Sequence, residues 1–325
     1  MQAHAVRFAA TGGPEVLRWD QVEVGDPGPG QVLLRHTAIG LNYIDTYHRS
    51  GLYPLPLPSG VGAEAAGVVQ AIGRGVKEFK AGDRVAYAGG QPGSYCEARL
   101  MPADRLVKLP AKISDQQAAA MMLKGMTAEY LVRRTYKLKA GQIVLFHAAA
   151  GGVGLIAGQW MKALGVKAIG TAGGPEKCAL AKKHGYSWVI DYRKDDFAAE
   201  VKRLTKGKGV PVVYDSIGKD TWDKSLDCLE PRGLLVSFGN ASGPVNSFAP
   251  GTLAAKGSLY LTRPTLVTYT QTREDLLKSA KALFSMVSSG KIKIEINQSY
   301  ALRDATQAHR DLEGRATTGS TVLIP

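Results

Sequence analysis

Short apolar runs closed by glycine-rich turns dominate the chain up to about residue 110. "QVLLRHTAIGLN" follows the turn "GDPGPG", and "AAGVVQAIGRGV" and "AGDRVAY" repeat the pattern. Runs this short between turn residues predict β-strands, and together they predict a partly open β-barrel. From about Ser114 the texture changes to "SDQQAAAMMLKGMTAEYLVRRTYKL". Its Ala, Met and Leu positions predict a helix, with Ser114 as N-cap and Gln117 three residues on completing a capping box.

Beyond that helix, buried strands alternate with helices. "QIVLFHA" predicts a strand and "GLIAGQWMKALG" a helix ending at Gly165. "KAIGTA" predicts the next strand, and "PEKCALAKKHG" a helix with Pro175 in its first turn. "WVIDY", "VPVVYDSIG" and "GLLVSFGN" continue the rhythm. The alternation predicts an α/β fold with parallel strands and crossover helices, a doubly wound sheet. After about Pro264, "TREDLLKSAKALFSMVSSGKIKI" predicts a long amphipathic helix running into a strand. "ALRDATQAHRDLEGR" predicts another helix and "GSTVLIP" a closing strand, a return of the chain to its first domain. At 325 residues the chain exceeds one typical core, so two domains are expected.

One turn in this pattern carries chemistry. Between "IVLFH" and "LIAGQWMKALG" the chain reads Ala149-x-Gly151-x-x-Gly154, a dinucleotide-binding fingerprint with alanine at its first position. Gly151 lets the backbone approach a pyrophosphate, Gly154 lets helix and strand pack closely, and the exposed helix N–H groups bind the anion. Ala149 is tolerable if its φ stays negative, in a slightly different turn. At the end of the next strand an acid would hold the ribose hydroxyl of NAD. Gly173 and Gly174 stand there instead, Glu176 falls in the following helical turn, and Lys177 is close enough to pair with a 2′-phosphate. NADPH is therefore the expected cofactor.

Composition narrows the picture. Lys and Arg exceed Asp and Glu by 41 to 28, a formal net charge of +13. That suits an anionic partner, but the basic residues are dispersed and form no arm, which argues against nucleic acid. Cys96, Cys178 and Cys228 lie far apart with no CxxC pair, usage that fits a reducing cytoplasm. No segment predicts a secretory signal or membrane span. Zinc chemistry would want a histidine at Ala63, beside Glu64, and a cysteine in "GLNYIDTYHRSG", where Asn42, Tyr43 and Asp45 stand. His36 and His48 are isolated. No metal is expected. Without a Lewis acid for an alkoxide, reduction of an electron-poor acceptor makes the least demand on the protein.

"GLNYIDTYHRSGLYPLPLPSGVGAEAAGVV", "AGDRVAY", "HAAAGGVGL", "VVYDSIG", "LVSFGN" and the final "RATTGSTVLIP" together resemble the zinc-free quinone oxidoreductases of the medium-chain dehydrogenase/reductase superfamily, the zeta-crystallin-like enzymes. The resemblance runs nearly end to end. It implies a GroES-like catalytic domain, residues 1–124 and 265–325, around a Rossmann NADPH-binding domain, residues 125–264. It also implies a homodimer, with NADPH and a quinone-type acceptor in the interdomain cleft; reduction of α,β-unsaturated carbonyls is the alternative. By the same resemblance Asn42, Ile44, Asp45 and Tyr47 lie near the nicotinamide, and Thr127 near the cofactor. Gly152 and Val153 contact the pyrophosphate, beside the fingerprint glycines Gly151 and Gly154. Gly173, Gly174, Lys177, Tyr192 and Arg315 surround the 2′-phosphate. Ser216, Phe238, Gly239 and Asn240 line strand ends, and Arg263 and Pro264 hold the nicotinamide edge. Asn42, Tyr47 and Tyr53 are the candidate catalytic residues.

Overall fold

The computed structural model describes residues 1–325, which divide into two compact units. The first comprises Met1–Met126, Thr270–Ser288 and Ile294–Pro325, the second Thr127–Tyr269 and Ser289–Lys293.

In the second unit six strands form one parallel sheet. Their order across the sheet is Trp188–Asp191, Lys167–Ala172, Ile143–Phe146, Val210–Asp215, Leu229–Ser237, Tyr260–Thr262. Numbered along the chain this is 3-2-1-4-5-6, the doubly wound Rossmann order, and the order in which strands are added reverses between Ile143–Phe146 and Val210–Asp215, which run parallel. Val144, Leu145, Ile169, Val212, Val213 and Leu235 are fully buried, as parallel strands covered on both faces must be. Each such side chain contributes about 1.5–3 kcal/mol by leaving water.

The helices between these strands begin as the chain pattern predicts. Pro175 opens Pro175–Lys183, and Asp196 caps Phe197–Leu204 by accepting from the Ala198 and Ala199 N–H groups. The helix Gly152–Ala163 starts at Gly151 with no side-chain cap, so its first N–H groups remain available.

The first unit holds a seven-stranded sheet and a three-stranded sheet of Arg18–Glu23, Gln2–Phe8 and Ser59–Gly60. The long strand Gln31–Leu41 organises the larger sheet. It pairs antiparallel with Glu64–Ile72, Ala98–Pro102 and the closing strand Ser320–Ile324. The strand path does not close on itself, so the barrel is partly open. Its interior is filled by Phe8, Val32, Leu34, Ile39, Val85, Tyr87 and Tyr95. The helix Asp115–Tyr130 carries the reciprocal capping box: Gln117 N–H donates to Ser114 Oγ and Ser114 N–H to Gln117 Oε1, both at 3.1 Å. A Cβ on Gly125 would lie 2.5 Å from Leu283 Cδ1, so this helix and Arg273–Ser288 meet at a glycine.

Two local expectations change. The helix Arg273–Ser288 does not run directly into a strand: "KIKI" is irregular, and the strand begins at Ile296. Ile292 and Ile294 are buried in alternation, so their spacing imitates a strand although no neighbouring strand pairs with them there. "NYIDTYHRSG", assigned no element from the pattern, holds the helix Tyr43–Ser50, ended by Gly51 at φ 84°.

Candidate functional site

The phosphate turn is built on an unexpected residue. Ala148, not Ala149, takes the left-handed conformation, with φ 53°. Ala149 avoids positive φ and packs fully buried beneath the turn. The first fingerprint glycine is dispensable because the reversal has moved one residue upstream. Gly154 is not dispensable: a Cβ there would stand 2.3 Å from Ala148 O and 2.7 Å from Ala149 O. Gly151, Gly152 and Val153 form the uncapped helix start, which suits an anion.

Beneath this turn His147 joins three strand ends. Its Nδ1 is 2.9 Å from Thr171 Oγ1 and its Nε2 3.0 Å from Ser225 Oγ, which donates to Asp215 Oδ2 at 2.7 Å. Burial lowers the pKa of His147, keeping the imidazole neutral beneath an anion site. Asp215 also accepts the Ile217 and Gly218 N–H groups and the Thr221 hydroxyl, fixing the turn that carries Ser216. A Cβ on Gly239 would lie 2.6 Å from Ser216 O, and Arg263 donates to Ser237 O at 3.1 Å. Ser216, Phe238, Gly239, Asn240, Arg263 and Pro264 all follow the carboxyl ends of parallel strands, where such sheets bind ligands.

At the end of Lys167–Ala172 the two glycines face a phenol and a guanidinium. A Cβ on Gly173 would lie 2.6 Å from Tyr192 Oη and 3.1 Å from Arg193 Nε. Lys177 is in the first turn of the adjoining helix. This backbone cradle with cationic walls fits the 2′-phosphate of NADPH. Thr127 is buried, in the same unit. Sequence reasoning missed Arg193 because nothing local distinguishes it from a solvated arginine.

In the first unit Asn42 opens the helix Tyr43–Ser50, and its backbone N–H donates to Asp45 Oδ2 at 2.8 Å. Its amide Nδ2 donates to Glu64 Oε2 at 2.7 Å, and Lys124 Nζ lies 3.3 Å from the same oxygen. Leu123 N–H donates to Glu64 Oε1 at 2.6 Å. Asn42, Glu64 and Lys124 are all buried. Asp45 heads a second chain: Tyr95 donates to it at 3.0 Å, His309 Nε2 lies 3.1 Å from Tyr95 Oη, and Arg49 donates to His309 Nδ1 at 3.1 Å. Arg49 ends in a two-pronged bridge to Glu313, at 2.9 and 2.7 Å. Burial raises the Asp45 pKa to about 7 and lowers that of His309 to about 3. Tyr47 and Tyr53 stack edge to face at 5.2 Å; Ile44 and Tyr47 are on the helix and Tyr53 follows it. Arg315 is exposed in the turn after Ala305–Glu313, at φ 58°, and belongs to the first unit, whereas Gly173, Gly174, Lys177 and Tyr192 belong to the second.

Residues 28–111 match the family described as alcohol dehydrogenase GroES-like domain, and residues 152–282 that described as zinc-binding dehydrogenase. A quinone oxidoreductase of Pseudomonas aeruginosa is 57% identical over 99% of this chain and 100% of its own length. The chain belongs to the quinone oxidoreductase family of the medium-chain dehydrogenase/reductase superfamily. The crystal structure of the Escherichia coli quinone oxidoreductase complexed with NADPH superposes with a TM-score of 0.98, at 53% identity over 99% of this chain and 100% of that one. A 2-haloacrylate reductase of Burkholderia is 47% identical over 97% of this chain and 96% of its own length. The second family's description names zinc, and the donor set around Glu64 does not fit that ion. The Lys124 ammonium and the Asn42 amide N–H both lie on Glu64 Oε2, the Leu123 N–H donates to Oε1, and Asn42 and Ala63 offer no thiolate or imidazole.

Proposed function

We propose that this chain is an NADPH-dependent reductase of quinones. The observation that carries the cofactor is the pair Gly173–Gly174, where no acid stands for an NAD ribose, the neighbouring Asp191 carboxylate is engaged by the Gly174 and Arg193 N–H groups, and Tyr192 and Arg193 face the glycines, with Lys177 in the adjoining helical turn. Family membership carries the acceptor class. Bound NADPH supplies reducing equivalents from its nicotinamide ring. The protein's part is to bind, orient and keep one geometry. The uncapped turn at Gly151, Gly152, Val153 and Gly154 receives the pyrophosphate. Thr127, Ser216, Phe238, Gly239, Asn240, Arg263 and Pro264 are the further proposed contacts of this unit. In the first unit Asn42, Ile44, Asp45 and Tyr47 are proposed for the nicotinamide side, Arg315 for the phosphate, and Asn42, Tyr47 and Tyr53 for the acceptor.

The Lys124–Glu64–Asn42 cluster supports a zinc-independent reading, because the local positive charge is an ammonium already paired. The homodimer and the cytoplasmic location are read from the family resemblance and the cysteine usage. Steady-state rates on a panel of quinones with NADPH and NADH, before and after chelation, test the whole reading. Turnover that prefers quinones and NADPH and survives chelation is expected; a strong preference for NADH or loss on chelation overturns it. Reduction of α,β-unsaturated carbonyls is the second reading, favoured by the haloacrylate reductase relative. Faster turnover of such alkenes on the same panel decides for it.

A further inference from the structure

We infer that Arg193 is a specificity-determining residue for the 2′-phosphate, held in place by Asp191. The inference rests on the NADPH reading and assigns part of the discrimination to a residue that no fingerprint marks.

The carboxyl end of Trp188–Asp191 lies alongside that of Lys167–Ala172, with Asp191 opposite Ala172 in register. Asp191 Oδ1 accepts the Gly174 N–H at 2.9 Å and the Arg193 N–H at 3.2 Å. Its backbone carbonyl accepts from Lys194 and Asp195, both at 2.9 Å. One acid therefore ties two strand ends together and closes the turn that folds Tyr192 and Arg193 back over the glycines. The Gly174 N–H, its first cause, holds the Asp191 pKa below the usual carboxylate range, so the tie persists at neutral pH.

The result is specific in geometry. Positions for a Cβ on Gly173 and on Gly174 lie 3.1 Å from Arg193 Nε and 3.5 Å from Arg193 Nη1. The guanidinium therefore lies against the backbone of both glycines. Arg193 is exposed, so a phosphate arriving from solvent can reach it. Acids are also present nearby: Glu176, Asp191 and Asp195 match Lys177, Arg193 and Lys194 in number. Net charge therefore does not favour a phosphate here, and proximity must. The guanidinium faces the glycines, whereas the Asp191 carboxylate oxygen is turned onto backbone N–H groups. A planar fork also discriminates better than a point charge, because it can offer two parallel donors to one phosphate.

The test uses fragments that lack the nicotinamide, so that turnover plays no part. Isothermal titration measures 2′,5′-ADP and 5′-AMP binding to the wild type, Arg193→Ala and Arg193→Lys. The wild type is expected to prefer 2′,5′-ADP. Arg193→Ala should lose about tenfold in affinity for 2′,5′-ADP and none for 5′-AMP, with Arg193→Lys between the two. If Arg193→Ala weakens both fragments equally, or neither, while the wild type still prefers 2′,5′-ADP, the role of Arg193 is overturned and the NADPH reading stands. If the wild type shows no preference, both fall together.

Discussion

The buried charges around Asn42 and the exposed ones around Gly173 solve opposite problems. In the first unit Lys124, Glu64 and Arg49 are out of water and each is matched by a charged partner the chain itself supplies, whereas buried Asp45 has only neutral donors and its pKa rises instead. In the second unit Tyr192 and Arg193 stand exposed beside bare glycine backbone. The contrast teaches where a missing counter-charge is expected. A buried ion must be neutralised before any ligand arrives, because its desolvation costs several kcal/mol. An exposed cation stays hydrated at little cost and can wait for its anion.

The comparison breaks most visibly at Glu64. Glu64→Ala strips Lys124, Asn42 and the Leu123 N–H of their common acceptor, and should cost about 3–5 kcal/mol in urea unfolding. Arg193→Ala, by contrast, should stay within ~0.5 kcal/mol of the wild type. Equal losses would erase the distinction. Lys177→Ala should raise the KM for NADPH by an amount equivalent to about 1.5–3 kcal/mol and leave that for NADH nearly unchanged. Equal effects on both cofactors would remove Lys177 from the phosphate site. Gly154→Ala brings a methyl against Ala148 O. It should cost about 1–3 kcal/mol in stability and weaken both cofactors alike, since it distorts the turn rather than the phosphate cradle.

The smallest effect is a slope. His36 and His309 both have pKa values lowered by burial, from 6.5 to about 3. The unfolded chain binds their protons first, so the stability they contribute is complete above pH 6.5 and is lost as pH falls toward 3. Asp45 runs the other way. Burial raises its pKa from 3.8 to about 7, so its contribution is present below 3.8 and lost as pH rises to about 7. Urea midpoints across that window should therefore fall less steeply on acidification in His309→Gln, and more steeply in Asp45→Asn. Parallel curves for both variants would mean that neither group titrates on unfolding.

Much of the second unit was legible in advance because its signals are local. Strand and helix alternate with their own periodicities, Pro175 opens its helix, and Gly154 follows its strand at a fixed offset; in the first unit Ser114 and Gln117 cap as neighbours for the same reason. The alternating Ile292 and Ile294 misled for the same reason: their pattern is local, but a strand also needs a partner. The helix Tyr43–Ser50 was hidden because it is only two turns long, its stripe of Tyr43, Ile44 and Tyr47 being too short to read as a period; its backbone cap depends on Asp45. Placements for Asn42 and Tyr192 came from resemblance, and what their side chains touch did not.

The chain pattern alone determines the alternation of strand and helix in the second unit, the glycine turn and the lack of an acid at Gly173–Gly174, since each is written within a few consecutive residues. Tertiary structure decided that Lys124 and Asn42 share one oxygen of Glu64, that Tyr95 bridges Asp45 to His309, and that Arg193 lies over Gly173. Such contacts depend on which strands become neighbours and in what register, and no residue carries that information by itself.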